Sequence, residues 1–344
     1  MMETTVQDDL LSDSIEQLLA DLATAKTIRE IESGGASDAM WKAIEDSGFC
    51  DALVPEQSGG AGLGLEDVFP IFEACGRHAL PVPLAQTMAA RALLSQVKHA
   101  VPSGSIALAV LPTGSDSRSA RDPLFVGYGA VADWVLIGDG SRIALLDARQ
   151  AEREPLDEAS VDGWLQWSDA KADWIDTDVD LRCIEACLLA VQMSGAMRKV
   201  LTDTLRYAND RAQFGRSIGK FQAIQHQLSV MAEHAEAGRM AARMACATQG
   251  TLASPLLCAV AKARTSEAAA LVASIAHAVH GAIGITEEYD LQLRTRRLHA
   301  WRATAGSESF WNLQIGRALL NSEHATLPDF VRHELSSAPA AFPS

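Results

Sequence analysis

Arg211 stands in the segment YANDRAQFGRSIGKFQ at residues 207–222, where residue types and spacing point most directly to chemistry. The segment predicts a helix that ends at Arg211, a turn at Phe214 and Gly215, and a second helix that starts near Gln222. A guanidinium at such a turn can bind a pyrophosphate through two parallel hydrogen bonds. The alternative is an arginine that complements the dipole at the end of its own helix.

A second segment, AHAVHGAIGITEEY at residues 276–289, contains small residues that let a backbone turn come close to another group. Gly281 and Gly284 are the natural contact points, because glycine has no side chain to block the approach. The alternative is an ordinary loop that terminates a helix.

Other kinds of site have weaker support in the sequence. The run Arg294, Arg296, Arg297 and Arg302 could bind a substrate phosphate, but in so acidic a chain salt bridges explain these arginines more simply. The nine histidines include no H-E-x-x-H motif, and no G-x-S-x-G motif is present. The sequence therefore predicts neither a metal site nor an acyl hydrolase.

The elements that must position these residues change character twice along the chain. Residues 1–101 carry apolar positions at helical spacing, interrupted by a Pro/Gly-rich loop, VPEQSGGAGLGL, at 54–65. Residues 102–178 alternate short apolar runs with Gly, Asp and Ser clusters, which is typical of strands and turns. Residues 179–330 return to Ala- and Leu-rich helices, and 331–344 form a loose tail. We therefore predict a mostly α protein with a small middle β domain.

Composition narrows the class of protein further. The 344 residues are 48% hydrophobic and carry 29 Lys plus Arg against 44 Asp plus Glu, for a formal net charge of −15. So acidic a balance argues against a nucleic-acid partner and against adhesion to anionic lipid. The six cysteines show no C-x-x-C pair, as expected of reduced thiols in a cytoplasm.

The N-terminus and the longest apolar windows favour a protein without a membrane anchor. The N-terminus, MMETTVQDDLLSDS, is acidic where a signal peptide would be basic and then apolar. Two windows, 244–261 and 268–286, lack Asp, Glu, Lys and Arg. Gly and Pro in the first, and two histidines and two glycines in the second, favour buried helices over membrane spans. We expect a cytoplasmic protein.

Together these segments resemble the acyl-CoA dehydrogenase family. The resemblance rests on R-x-x-F-G…F-Q at 211–222, H-G-A-I-G-I-T-E-E-Y at 280–289, the loop at 54–65, and the order of helices, strands and helices. It implies an N-terminal helical domain, a middle β domain, a C-terminal four-helix bundle and FAD. It also implies α,β-dehydrogenation of a CoA thioester, in which a carboxylate removes the α-proton and the β-hydrogen leaves as hydride to the flavin.

The resemblance also assigns residues to the nucleotide half of the FAD. In this family that half lies across a subunit interface, held by the R-x-x-F-G motif and the glycine-rich loop. The contacts carried over to this chain fall on Arg211, Phe214, Gln222, His280, Gly281 and Gly284. The family's glutamine three positions before Gly281 is Ala278 here, so its contact is lost or passes to His277 or His280.

The chain departs from the family pattern where the flavin ring would lie. It has no counterpart of the family's T-E-P…G-S-D segment or of its W-I-T strand; PTGSDS at 112–117 and DWVLI at 133–137 are at most remnants. The usual catalytic glutamate, which precedes a glycine in a Tyr-Glu-Gly-Thr segment, falls on Ala305.

Glu185 is the candidate for an alternative base. Some members of the family carry the base 26 residues before the arginine of R-x-x-F-G, and in this chain that position is Glu185. It is the only charged residue from Cys183 to Met197. Apolar surroundings raise the pKa of a carboxyl toward the range of a general base. The alternative is a vestigial or salt-bridged glutamate that the dipole favours near a helix N-terminus.

Two hypotheses follow from the resemblance. In the first, the chain is a self-sufficient, homo-oligomeric acyl-CoA dehydrogenase that uses Glu185. In the second, it is the short subunit of a heterotetramer and lends Arg211 and the Gly281 loop to the FAD of a longer homologous subunit. Either form would take an acyl-CoA substrate, such as a fatty or steroid side chain, and pass electrons to an acceptor protein.

Overall fold

A computed structural model of the protein describes residues 2–111, 122–168 and 172–335, with side chains from residue 10 onward. The described chain is mostly helical, with its strands confined to the middle apart from one short hairpin. The predicted fold class is therefore confirmed. The predicted remnant at 112–117 lies outside the described residues.

The chain forms two compact units. Unit 1 contains residues 1–71, 80–188 and 249–251, and unit 2 contains residues 72–79, 189–248 and 252–344. The N-terminal helices and the strands, which the sequence divides at residue 101, share unit 1. Thr87 shows the physical reason, because its hydroxyl accepts a hydrogen bond from the Ile106 amide at the start of the first strand, at 2.9 Å.

Unit 1 begins with helices. They are α1 (Met2–Leu22), α2 (Ala25–Glu32), α3 (Asp38–Asp46), the first part of α4 (Leu65–Arg77), and α5 (Leu84–Gln96). Every residue of α5 from Leu84 to Leu94 is buried, including a polar set. Arg91 in that set forms ion pairs with Glu45 and with Asp51, which compensate its burial.

The strands of unit 1 form two sheets among the described residues. They are β1 (Ile106–Val110), β2 (Leu124–Val126), β3 (Trp134–Gly138), β4 (Arg142–Asp147), β5 (Glu152–Pro155), β6 (Gly163–Gln166) and β7 (Ile175–Asp176). One sheet has the order β1-β3-β4-β7, in which only β1 and β3 are parallel, and the other is the antiparallel set β2-β6-β5. The predicted strand at 133–137 is β3.

Unit 2 is a helical bundle with one short hairpin. Its elements are the later part of α6 (Leu181–Asp210), β8 (Ala212–Gln213), β9 (Arg216–Ser217), α7 (Gln222–Cys246), α8 (Pro255–His280), α9 (Leu291–Ala303), α10 (Glu308–Leu320) and α11 (Leu327–Glu334). Helix α8 is central and packs against α7, α9 and α10. Small alanines on α8, such as Ala268, Ala269 and Ala276, let the neighbouring helices approach closely.

The predicted loose tail starts inside α11. The Thr326 hydroxyl caps this helix by accepting the Asp329 amide at 3.3 Å, and Phe330 is buried. The cap and the buried Phe330 side chain stabilise a helix that ends at Glu334, so residues 331–334 are helical. Residues 336–344 lie outside the described part of the chain.

A buried carboxylate joins three helices of unit 2. Glu73, near the end of α4, forms ion pairs with Arg77, with Arg198 on α6 and with Arg239 on α7. A Cβ at Gly195 would lie 1.9 Å from the Glu73 carbonyl oxygen, so only glycine permits α4 and α6 to approach this closely.

One helix is apolar enough to raise the question of a membrane span. The stretch Pro255–Ile285, which contains α8, passes the length and composition criteria in the described residues, but half of its apolar window is buried inside the protein. Central core helices meet the same criteria, and α8 is the central helix of unit 2.

Candidate functional site

A cleft of about 640 Å³ in unit 2 brings the two sequence segments together. Its lining residues are Tyr207, Arg211, Gln213, Phe214, Ile218, Phe221, Ile224, Ala278, Val279, His280, Gly281, Ala282 and Ile283. Four of the six predicted cofactor residues, Arg211, Phe214, His280 and Gly281, therefore share one cavity.

The other two predicted residues do not line this cleft. Gln222 is the exposed first residue of α7. Gly284 is buried, and a Cβ there would lie 2.9 Å from the His280 Cβ. The absence of a side chain at Gly284 thus serves packing within the turn.

A strained hairpin forms one wall of the cleft. Phe214 and Gly215 connect β8 to β9 with φ angles of 52° and 80°. Two residues with positive φ suit a tight hairpin, but phenylalanine is seldom found in this conformation. The Phe214 side chain is 92% exposed, so burial does not compensate the strain. Strain of this kind concentrates at functional sites.

Arg211 joins α6 to this hairpin. Its amide donates to the Tyr207 carbonyl at 2.8 Å, and its own carbonyl accepts from the Ile218 amide at 2.8 Å, so the backbone is fixed on both sides. The guanidinium is exposed, and within the described ranges it has no hydrogen-bond or ion-pair partner. A capping arginine would bond the last carbonyls of α6, which this side chain does not do in that part of the chain.

The opposite wall begins where α8 ends. Gly281 adopts φ 64° and ψ −142°, a conformation that is essentially restricted to glycine. A Cβ added there would meet no atom within 4 Å, so this face of the turn is open. A ligand in the cleft can therefore approach the Gly281 backbone closely.

Aromatic rings support the Gly281 turn from inside. The His280 ring is buried and stacks on Tyr207 with ring centroids 4.4 Å apart. Its Nδ1 lies 2.7 Å from the Ala276 carbonyl oxygen, and its Nε2 lies 3.2 Å from the Tyr289 hydroxyl. Both ring nitrogens are therefore directed at protein groups, and burial lowers the pKa of His280.

The two histidines beside Ala278 direct ring nitrogens at protein groups, while Nδ1 of His277 is buried without a hydrogen-bond partner in the described residues. Nε2 of His277 lies 2.9 Å from the Thr295 hydroxyl, and burial lowers the pKa of His277. The ring nitrogens of His280 face protein atoms as well. His280 lines the cleft, so its predicted cofactor contact stays a prediction, and the atoms it offers to a ligand are not its two ring nitrogens.

Glu185 lies in unit 1, close to the N-terminus of α6. It is 3% exposed, and its Oε1 accepts a hydrogen bond of 3.4 Å from the buried Gln86 amide on α5. The carboxylate thus lies in a closed environment, and it is not among the residues that line the cleft.

The predicted salt-bridge role of the arginine run holds for Arg302 on α9, whereas Arg294 bonds to a backbone carbonyl instead. Arg302 forms an ion pair with Glu308, in which Nε lies 3.0 Å from Oε2. Arg294 donates to the Arg77 carbonyl at 2.9 Å, and burial lowers its pKa. These arginines are engaged in holding unit 2 together. No group of three or more potential metal ligands occurs within the described ranges.

Comparisons with known proteins show the family of the chain. The family description "Acyl-CoA dehydrogenase, C-terminal domain" matches residues 184–320. The acyl-CoA dehydrogenase IpdE2 of Mycolicibacterium smegmatis is 30% identical over 300 residues, which cover 85% of this chain and 92% of that protein. The chain belongs to the acyl-CoA dehydrogenase family. The predicted family is confirmed.

Solved structures of the family have the same fold. The ChsE4–ChsE5 complex from Mycobacterium tuberculosis aligns with a TM-score of 0.76 at 20% identity, covering 92% of this chain and 98% of that one. A variant of the Tcur3481–Tcur3483 steroid acyl-CoA dehydrogenase aligns with a TM-score of 0.76 at 24% identity, covering 93% and 98%.

Family membership identifies an oxidoreductase of the acyl-CoA dehydrogenase type, with FAD as the cofactor. The cleft fits the nucleotide half of FAD on three structural grounds. Arg211 offers a cation that no described carboxylate neutralises, Gly281 has an open face, and Phe214 presents an exposed ring. A diphosphate needs such a cation, and an adenine ring stacks readily on an aromatic one.

The sequence resemblance places Ala305 at the position of the family's usual glutamate. In the structure Ala305 has φ 58°, and Gly306 follows with φ 103°. The Ala305 carbonyl accepts from the Trp311 indole at 3.1 Å, and the Gly306 carbonyl accepts from the Lys262 ammonium at 2.8 Å. The loop is thus retained without the carboxylate.

Sequence reasoning did not anticipate Lys262. Its side chain is fully buried on α8, and its ammonium also donates to the Arg302 carbonyl at 2.9 Å and to the Ser266 hydroxyl at 3.2 Å. The available signal is a lysine in an otherwise alanine-rich, apolar helix. Such a lysine must find oxygen acceptors inside the protein.

Proposed function

We propose that this chain is the short subunit of a hetero-oligomeric acyl-CoA dehydrogenase and that it lends nucleotide contacts to the FAD of a longer homologous subunit. The observation that carries the proposal is the exposed Arg211 guanidinium, which has no partner in the described ranges and lines the same cleft as the open Gly281 turn. A cation held in this way on a fixed backbone is arranged to bind an anion.

The rim of the cleft supports a shared site. Phe214, Ile283 and Ile285 are 92%, 41% and 76% exposed, and they place apolar surface around the cavity. Exposed apolar surface beside a cleft is typical of a protein interface. Both structural neighbours described above carry two protein names in their titles, and pairing with a second chain is proposed here for this protein as well.

In the assembled enzyme the residues of this chain would bind and orient. Arg211 would hold the pyrophosphate, Gly281 would let the backbone reach the nucleotide, and Phe214 would cover its adenine. Bound FAD supplies the hydride acceptor for α,β-dehydrogenation of an acyl-CoA. We further propose a bulky acyl group such as a steroid side chain, electron transfer to an acceptor protein, and a cytoplasmic location.

A self-sufficient enzyme is the second candidate, and Glu185 is the observation that favours it. A buried carboxylate with an amide donor has the composition of a poised base. Its closure in this structure weighs against direct contact with a substrate, so the base is assigned to the longer subunit.

Flavin content tests the proposal. The chain should be produced alone and together with a longer acyl-CoA dehydrogenase from the same organism, and the FAD bound per chain should be measured after identical purification. We expect a colourless or poorly folded product alone and a yellow complex when the two are produced together. Stoichiometric FAD on a homo-oligomer of this chain would contradict the proposal.

A further inference from the structure

We infer that Tyr207, His280 and Tyr289 are positioning residues that fix the peptide between His280 and Gly281 and thereby orient the nucleotide-binding turn. The inference rests on the proposed FAD function of the cleft. Tyr207 and His280 line the cleft, but their side-chain polar atoms bond to other protein groups, so these residues hold the backbone in place and leave the polar contacts with the ligand to Arg211 and Gly281.

The peptide between His280 and Gly281 is held at both of its polar groups. The Gly281 amide donates to the His277 carbonyl, and the Tyr207 hydroxyl donates to the His280 carbonyl at 3.3 Å. Because the peptide group is planar, two such bonds define its orientation. The positive φ of Gly281 then sets the direction of the open turn that follows.

The histidine ring connects this peptide to a second tyrosine. Nδ1 of His280 faces a carbonyl oxygen, which can only accept, so Nδ1 carries the proton. Nε2 is then the acceptor for the Tyr289 hydroxyl. The ring of Tyr207 stacks on one side of His280 and packs edge-on against Tyr289, with centroids 6.0 Å apart. The three rings thus form one connected support.

This arrangement requires a neutral imidazole. Protonation of Nε2 would remove the acceptor that the Tyr289 hydroxyl uses and would place a charge in a buried ring stack. The groups that face the imidazole are Asp203 and Tyr207 on α6, His277 on α8, and Tyr289. Burial lowers the pKa of His280, which keeps the ring neutral at physiological pH.

Deletion of single hydroxyls in the assembled heteromeric enzyme tests the inference. Tyr207→Phe and Tyr289→Phe keep both rings and remove one hydrogen bond each. ADP, which carries the adenine and diphosphate groups of FAD, serves as a probe for the nucleotide half of the site. We expect each variant to weaken the binding of FAD and of ADP by about 3–10-fold, as the loss of one hydrogen bond implies. The third tyrosine of the chain, Tyr128 in unit 1, provides the matched control. Tyr128→Phe should leave the affinity for ADP unchanged.

The pH profile separates positioning from a general loss of stability. In the wild-type complex FAD affinity should fall only when the pH drops below the range in which an ordinary histidine titrates, because burial lowers the pKa of His280. His280→Asn keeps a donor for the Ala276 carbonyl and cannot be protonated, so it should flatten that profile. His234→Asn, which removes a histidine of unit 2 that pairs with Arg264 and does not face the His280 imidazole, should leave the profile in place.

The outcomes distinguish the positioning inference from the proposed function of the cleft. If both tyrosine variants bind FAD and ADP within twofold of wild type while Arg211→Ala weakens binding, the inference is overturned and the proposed function stands. If Arg211→Ala also binds both ligands normally in an intact complex, the proposed function fails, and the inference fails with it. A variant that lowers thermal stability yet retains the wild-type affinity and pH profile also overturns the inference.

Discussion

The cleft in unit 2 and the Glu185 region in unit 1 differ in the exposure and the hydrogen bonding of their charged side chains. Arg211 is exposed on a strained hairpin and has no partner within the described ranges, whereas Glu185 is buried and hydrogen-bonded to Gln86. A group that must meet a ligand has to remain accessible, and a group that stabilises a core does not. This difference supports the proposal that the chain contributes to a cofactor site and that the base belongs to another subunit.

The largest effect is expected for Arg211→Ala. Loss of a charge-assisted, bidentate pyrophosphate contact should weaken FAD binding to the complex by about 1.5–3 kcal/mol, or tenfold to more than a hundredfold. The folding stability of the subunit should stay the same, because the guanidinium has no partner in the described ranges. Titration of the flavin-free complex with FAD measures the effect, and Arg302→Ala controls for the loss of any arginine. Unchanged affinity would favour the alternative, in which the Arg211 charge complements the dipole at the end of α6.

A second prediction concerns the open wall of the cleft. Gly281→Ala introduces no clash, but it forces a side chain into a backbone conformation reserved for glycine, at a cost of about 1–3 kcal/mol. Relaxation of the turn should lower both thermal stability and FAD affinity. Gly34→Ala in unit 1, where φ is 87° and the added Cβ also meets open space, should lower stability alone. Equal FAD affinity in the two variants would place Gly281 outside the binding site.

Phe214→Asn should separate stability from binding. Asparagine tolerates positive φ better than phenylalanine does, so the hairpin should become more stable by about 0.5–1 kcal/mol. FAD affinity should fall several-fold, because the exposed ring is lost. Chemical denaturation and FAD titration of the same preparation measure both quantities. A variant that gains stability and retains full affinity would show that the Phe214 ring has no part in binding.

The smallest effect is expected at Glu185. If the longer subunit supplies the base, Glu185→Gln should change turnover by no more than a few-fold, because an amide preserves the shape and hydrogen-bonding capacity of the buried side chain. If Glu185 is the base, turnover should fall by about 10²–10⁴ while FAD stays bound. Steady-state rates and flavin content of the assembled complex decide between the two. A loss above a hundredfold would reverse the comparison between the two regions.

The sequence alone predicted more of the fold than of the candidate site. Helical periodicity and the change to short apolar runs were sufficient for the elements, because each depends on neighbours close in the chain. The sequence also selected two segments, and the structure joins them in one cleft. It did not reveal that the His280 nitrogens face inward, that Gly284 is buried by packing, or that Lys262 has backbone acceptors. These properties depend on side-chain direction and on contacts between distant residues.

Lys262 gives the loop at 304–307 a support that does not depend on the residue at position 305. The ammonium binds the Arg302 and Gly306 carbonyls, and Trp311 binds the Ala305 carbonyl, so each of these bonds is made to the backbone. The side chain at 305 can therefore change without loss of these loop contacts. In evolutionary terms, a loop supported through its backbone tolerates a one-residue substitution at position 305, because none of these three bonds uses that side chain.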